Sequence, residues 1–386
     1  MIILNKEERL DRLVVYFALQ FWWPPAATHL NPTADVELLR VNLDSSMASE
    51  NWSWSMMQID DVKSCAFDYW YEMFKDVTEK SVMIPLPKDL VKSLLEDRII
   101  LPKSARLPEP QSEDSDDDGE VWTDESETPE RPEFPEFEAK VSDAIAQLGG
   151  CVFPKLNWSA PKDASWLLGD NSLKCRSFTD VYLVLKASDF IAHDLNAPFA
   201  LCTDFPVENL YDPVEDYRPQ LVLRRWKDCR PDSEFRCFVR KKKLIAISQR
   251  HHDAYFESAL QHKESIEKKL CTFFQKHIHD LFPLSDYAVD LYYEHQSSSR
   301  SRVELIDFNV FGQPTDSLLF SWTELEQMST TEEIPQPVFR VQEDPSIRPN
   351  AFRQYSVPID LIDIASGSDP RKMMDFVQAC CEQNSI

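Results

Sequence analysis

Residues 303–312 read VELIDFNVFG and residues 287–294 read YAVDLYYE, two apolar stretches that each carry an acid near the middle. Alternation along the first places Val303, Leu305, Asp307 and Asn309 on one face and Ile306, Phe308 and Val310 on the other. Asp290 sits likewise inside the second, and the polar run 295–302 between them predicts a hairpin. Closed symmetrically, that hairpin pairs Glu294 with Val303 and sets Asp290 opposite Asp307. The two Cβ atoms would then lie about 5 Å apart, and two unit charges at that distance repel by about 3 kcal/mol at an effective dielectric of about 20. A hard divalent cation offsets this repulsion. Magnesium takes oxygen ligands, typically one or two carboxylates with phosphate oxygens completing the octahedron, and Asn309 supplies a neutral oxygen. The competing reading has Asp307 capping a turn and Asp290 paired with an arginine such as Arg302.

Positive charge for phosphates is available at Lys155 and Lys162 in VFPKLNWSAPKDASW, residues 152–166, because an ammonium is a good point-charge partner for phosphate. Arg224 and Arg225 in QLVLRRW and Arg236 in EFRCFV also fall on strand candidates, where an unpaired buried guanidinium is unfavourable. Each of these alone reads equally well as a surface salt bridge; their occurrence together with the acidic pair favours a ligand. The six glycines, at 119, 149, 150, 169, 312 and 367, form neither a G-x-x-x-x-G-K-S/T loop nor a G-x-G-x-x-G turn. Walker and Rossmann sites are therefore excluded, and phosphate must be held by side chains and ordinary backbone amides. Asp307-Phe308-Asn309 resembles the kinase Asp-Phe-Gly, but no glycine-rich loop or His-Arg-Asp motif accompanies it. His251 and His252 read as a solvated turn.

The 386 residues are 43% hydrophobic and carry 66 acidic against 41 basic side chains, a net charge of -25 that disfavours nonspecific nucleic-acid and anionic-membrane binding. Fourteen of the acids fall within residues 109–138, beside the single basic Arg131. That stretch is rich in Pro, Ser, Asp and Glu and reads as a disordered acidic linker, with an arm for a basic partner as the sharper alternative. Nine cysteines without a C-x-x-C pair suggest neither a zinc ribbon nor a disulfide framework. The apolar run 13–23 is interrupted by Gln20 and follows Glu7, Glu8 and Asp11, so neither a membrane span nor a signal peptide is expected, and the chain should be cytoplasmic.

Strands are predicted over 81–84, 151–154, 220–226, 234–239, 244–249, 287–294 and 303–310. Helices are predicted around 90–95, over 141–148, and as one long amphipathic segment over 256–282, with Leu260, Leu270, Phe273, Phe274, Ile278 and Leu281 on its apolar face. Strands with interposed helices mean an α+β or α/β chain. Residues 1–59 carry no sustained period and no motif. The organisation expected is an N-terminal extension over 1–59, an α/β part over 60–108, the acidic linker, a nucleotide-binding core over 139–325 and a C-terminal tail over 326–386.

VFPKLNWSAPKDASW, LVLRRW, EFRCFV, LIAISQR, VELIDFNVFG and TDSLLFSWTEL, in that order, resemble the motifs of the cell division cycle protein 123 family, across roughly residues 60–380. The resemblance implies an α+β fold of ATP-grasp type, with ATP and magnesium between two α+β lobes. It also implies the role of an assembly chaperone that binds the gamma subunit of eukaryotic translation initiation factor 2, supporting translation initiation and cell-cycle progression. By the same resemblance, Lys155, Trp158, Ala160 and Lys162 line the nucleotide, Arg224, Arg225, Trp226 and Lys227 hold the adenine edge and nearby phosphates, and Arg236 reaches a phosphate. Asp290, Asp307 and Asn309 carry magnesium. A monomer without catalytic residues is expected, with a ligase or phosphotransferase acting on a carboxylate as the alternative. The tail, including VPIDLIDIASGSDP, resembles the family's partner-binding segment. Val310 replaces a common proline after Asp-Phe-Asn, and His251 replaces a common acid after Ser-Gln-Arg.

Overall fold

The computed structural model describes residues 57–96, 98, 100–105, 131–168, 170, 172–205, 217–294, 302–328 and 336–346. Most of the acidic stretch, most of the N-terminal extension, residues 295–301 of the hairpin and the tail from 347 onward lie outside the described residues. Two sheets carry the fold. The smaller has β1 (Ser81–Pro85), β3 (Gln220–Arg225) and β2 (Val152–Lys155) in the order β1-β3-β2, all antiparallel. The larger has the order β7-β6-β4-β5-β8, from β4 (Glu234–Arg240), β5 (Lys243–Gln249), β6 (Tyr287–Glu294), β7 (Arg302–Val310) and β8 (Val338–Arg340). Its pairings are antiparallel except for β5 with β8, which is parallel.

In the larger sheet, alternation sends Phe235, Cys237, Ile247, Val289, Leu291 and Phe308 to one face, while the other carries charge around Asp290 beside a small apolar cluster of Phe238, Ala246, Ala288 and Phe320. Helix α1 (Ile59–Ser64) and helix α2 (Phe67–Phe74) pack on the apolar face, and α2 buries Phe67, Trp70, Tyr71 and Phe74 at i, i+3, i+4 and i+7. The smaller sheet has its own core, built with α3 (Lys88–Leu95), α4 (Pro135–Gln147), α5 (Phe178–Lys186) and α6 (Asp189–Asn196). Lys186 crosses that core to donate to the carbonyls of Ser93, Leu94 and Glu96, which satisfies the open C-terminal end of α3.

α4 begins at Pro135, inside the stretch assigned to the linker, because Phe134 and Phe137 are buried and proline suits a first helical turn. It ends in a Schellman turn: Gly149 N–H donates to Ala146 O at 3.2 Å and Gly150 N–H to Ile145 O at 2.8 Å, with φ of 97° and 89° at the two glycines. The chain then enters β2, which delivers Lys155.

Three further expectations change. The single helix over 256–282 is broken at His262 into α7 (Glu257–Gln261) and α8 (Lys263–Phe273), followed by a π turn over Phe274–Ile278. That extra residue per turn rotates the face, so Ile278 and Phe282 are buried while Leu281 is 56% exposed. In the hairpin, Glu294 pairs with Arg302 and Tyr293 with Val303, because a bulge lies between the Asp290–Asp307 and Leu291–Leu305 pairs. Ahead of that bulge the facing reverses: Leu305, and with it Val303, joins Phe308 and Val310 on the apolar side. The register past the bulge is unaffected, and Asp290 pairs with Asp307. Finally, β8, from the segment assigned to the tail, completes the larger sheet.

Candidate functional site

The charged face of the larger sheet is assembled by register. Asp290 stands between Arg236 on β4 and Asp307 on β7, and Ser248 on β5 stands beyond Arg236. Partners across a ladder share a face, so all four project to the same side. Arg236 grips Asp290 with two hydrogen bonds, Nε to Oδ1 and Nη2 to Oδ2, each 2.8 Å, and its Nη1 donates to Asp316 O at 2.8 Å. Asn309 Nδ2 donates to Asp290 Oδ2 at 3.4 Å, and Arg250 Nε lies 3.8 Å from the same oxygen. Asp307 accepts from Lys155 Nζ at 2.5 Å, so a cation from the smaller sheet meets a carboxylate of the larger. Arg224, also from the smaller sheet, donates to Ile306 O at 2.7 Å and to Thr78 Oγ1 at 3.2 Å, which ties the two sheets beside the bulge.

The two acids differ in character. Burial alone would raise Asp290, but the charge and hydrogen bonds of Arg236, then Arg250 and Lys162, hold its carboxyl below the usual range. Burial dominates at Asp307 and leaves it above the usual range despite Lys155 and Arg224. Lys162, at the start of a 3-10 turn over Lys162–Leu167, remains exposed. The charge of Arg250, and then partial loss of water around the ammonium, bring its pKa down to about 8. Cations repelling one another in this way mark a place suited to an anion.

Lys155, Lys162, Arg236, Asp290, Asp307 and Asn309 are thus brought together, with Arg224 directly behind them. The other residues of the set lie around them. Trp158 lines a cavity of about 240 Å³ together with Asn309, Asp194 and Thr315. Ala160 packs against the smaller core. Arg225 pairs with Glu79, Trp226 Nε1 donates to Asp228, and Lys227 bonds Glu304 at 2.7 Å with Glu294 3.8 Å away. The arginine beside Asp290 is Arg236, not Arg302, which pairs with Glu304.

Two residues of this face, Arg250 and Glu304, escaped the sequence reading. Arg250 follows Ser248 by two positions, so strand alternation was signal enough for it. Glu304 shares the face of Tyr292 only because of the bulge. Among the described residues no group of three or more His, Cys, Asp or Glu could hold a metal. A cation here would use Asp290, Asp307 and Asn309 with oxygens from a ligand or water, a mixed shell that suits magnesium and not zinc. The seven described cysteines are all unpaired, and no described helix is long and apolar enough to cross a membrane.

The sequence profile of the D123 family matches residues 70–365. The chain is 40% identical over 335 residues to the translation initiation factor eIF2 assembly protein of Xenopus tropicalis, covering 83% of this chain and 97% of that one. It is 38% identical over 323 residues to the protein of the same name in Schizosaccharomyces pombe, covering 82% and 94%. The solved structure of Cdc123 from Schizosaccharomyces pombe superposes with a TM-score of 0.60 at 36% identity, over 75% of this chain and 99% of that one. By family profile, sequence and fold together, the chain belongs to the cell division cycle protein 123 (D123) family.

Proposed function

We propose that this protein is a cytoplasmic, ATP- and magnesium-binding assembly factor for translation initiation factor eIF2, and that the gamma subunit is the part of eIF2 it holds. The observation carrying the ligand half is the register pair Asp290–Asp307 within reach of Arg236, Lys155 and Lys162. Two facing carboxylates with an adjacent amide fit a magnesium ion, and the surrounding cations fit its phosphates, in the manner of an ATP-grasp site between two α+β lobes. Asp290, Asp307 and Asn309 would hold the metal, and Lys155, Lys162 and Arg236 the phosphates. Because these groups come from both sheets, one ligand would tie the sheets together and stiffen the surface offered to the partner. The assembly half rests on relatives of near-equal length named for eIF2 assembly. Calorimetric titration with Mg-ATP should show saturable binding that weakens at least about tenfold in Asp290→Asn. Equal binding by both would sink the ligand assignment, and affinity capture from extract that recovered no gamma subunit would sink the partner assignment.

The site also sets a pH dependence. Phosphate favours the charged form of Lys162, so its pKa in the complex lies above the value of about 8 it has in the free protein. Binding then takes up a proton whenever the pH exceeds that value. Affinity should be level just below pH 8 and fall as the pH rises through it, by up to about tenfold per unit before the pKa of the complex is reached. Lys162→Gln should abolish the slope; a slope that survived in the variant would assign the proton elsewhere.

A further inference from the structure

Both carboxylates of the site already hold a cation, and the two cations have different origins. Arg236 sits on the strand next to Asp290 and grips it through two hydrogen bonds. Lys155 reaches Asp307 from the other sheet, with side chains 3% and 19% exposed. Its ammonium also lies 5.4 Å from the centre of the Phe67 ring, so it is enclosed by protein on more than one side.

We propose that Lys155 stands where a divalent cation's charge would lie at Asp307, so that Asp307 refuses a bare metal and accepts one only when Lys155 has a phosphate to turn to. The proposal rests on the reading of the site as a magnesium–nucleotide site and adds an order of events to it. For metal alone to engage Asp307, the buried Lys155 would have to give up its carboxylate with nothing in exchange, which leaves an unpaired charge in a poorly hydrated place. A phosphate offers Lys155 a replacement of the same sign and similar geometry. Arg236 keeps its place at Asp290 throughout, because its two-point grip leaves the carboxylate further lone pairs for a metal and its bond to Asp316 O is independent of Asp307. Lys155 is therefore the group through which metal and nucleotide affinities are linked, and such linkage is reciprocal.

The test measures Mn2+ binding by electron paramagnetic resonance of the free ion, without nucleotide, in the wild type and in Lys155→Met. The variant should bind Mn2+ alone at least about tenfold more tightly than the wild type, while binding a non-hydrolysable Mg-ATP analogue more weakly. Adding Asp307→Asn to Lys155→Met should erase the gain. Equal Mn2+ affinities in wild type and variant, with analogue binding by the wild type intact, would overturn the proposal alone. A wild type that bound no Mg-ATP analogue would overturn the underlying reading. If Lys155→Met does not fold, the wild type still decides: tight Mn2+ binding without nucleotide contradicts an Asp307 guarded by Lys155, and Lys155→Arg, which keeps the charge, should bind bare Mn2+ as weakly as the wild type.

Discussion

Replacing Asp290 by alanine should lower the unfolding free energy by about 3–5 kcal/mol, measured by urea denaturation without ligand. The loss comes from the partner left behind. Arg236 is 4% exposed, and its guanidinium directs Nε and Nη2 at Asp290. With the carboxylate gone, only the bond from Nη1 to Asp316 O remains for a charge that water hardly reaches. Removing both members should hurt less, because an apolar pair of similar volume carries no desolvation cost: Arg236→Met with Asp290→Ala should recover most of the stability and none of the Mg-ATP binding. A single variant that lost less than about 1 kcal/mol would mean that Arg236 finds another partner, and the ion pair would then be a weak organiser of the site.

Phe308→Ala should cost a similar amount, about 3–5 kcal/mol, through a different term. Phe308 is 2% exposed and stacks on Phe282 with ring centres 3.8 Å apart and planes 3° from parallel. Trp70, Phe74 and Tyr287 close around it at 5.5, 5.2 and 5.8 Å. Truncation would leave a cavity in the cluster that joins α2 to the sheet. Phe308 also lies between Asp307 and Asn309 in the chain, so its packing fixes the strand from which both project. Mg-ATP affinity should fall along with stability, whereas Phe308→Leu should retain most of both. Full affinity in a destabilised Phe308→Ala protein would show that the backbone is held by the ladder alone.

The sequence made the strands around the site legible because each is a short run rich in β-branched or aromatic residues, and β6 falls on the predicted residues 287–294. The opposition of Asp290 and Asp307 follows from a symmetric closure whose register is one residue off at the loop end, and the bulge absorbs that residue. What alternation cannot show is an inserted residue. The bulge reversed Val303 and Leu305 and hid Glu304, and the π turn did the same to Leu281. The helices α5 and α6 and strand β8 also went unread. α5 is only nine residues long, too short to sustain a clear period, while β8 is only three residues long and is set by its pairing with β5. The ion pair between Lys155 and Asp307 spans 152 positions, and no local pattern can choose one lysine for it.

The parallel pairing of β5 with β8 has a consequence for biosynthesis. Ile247 waits for Phe339, which the ribosome delivers only after the rest of the larger sheet has emerged. Until then β5 offers a bare row of amides and carbonyls to whatever strand comes near, including that of a neighbouring nascent chain. A translation product halted before residue 338 would keep that border of β5 open over Ala246, Ile247 and Ser248, the stretch that β8 covers.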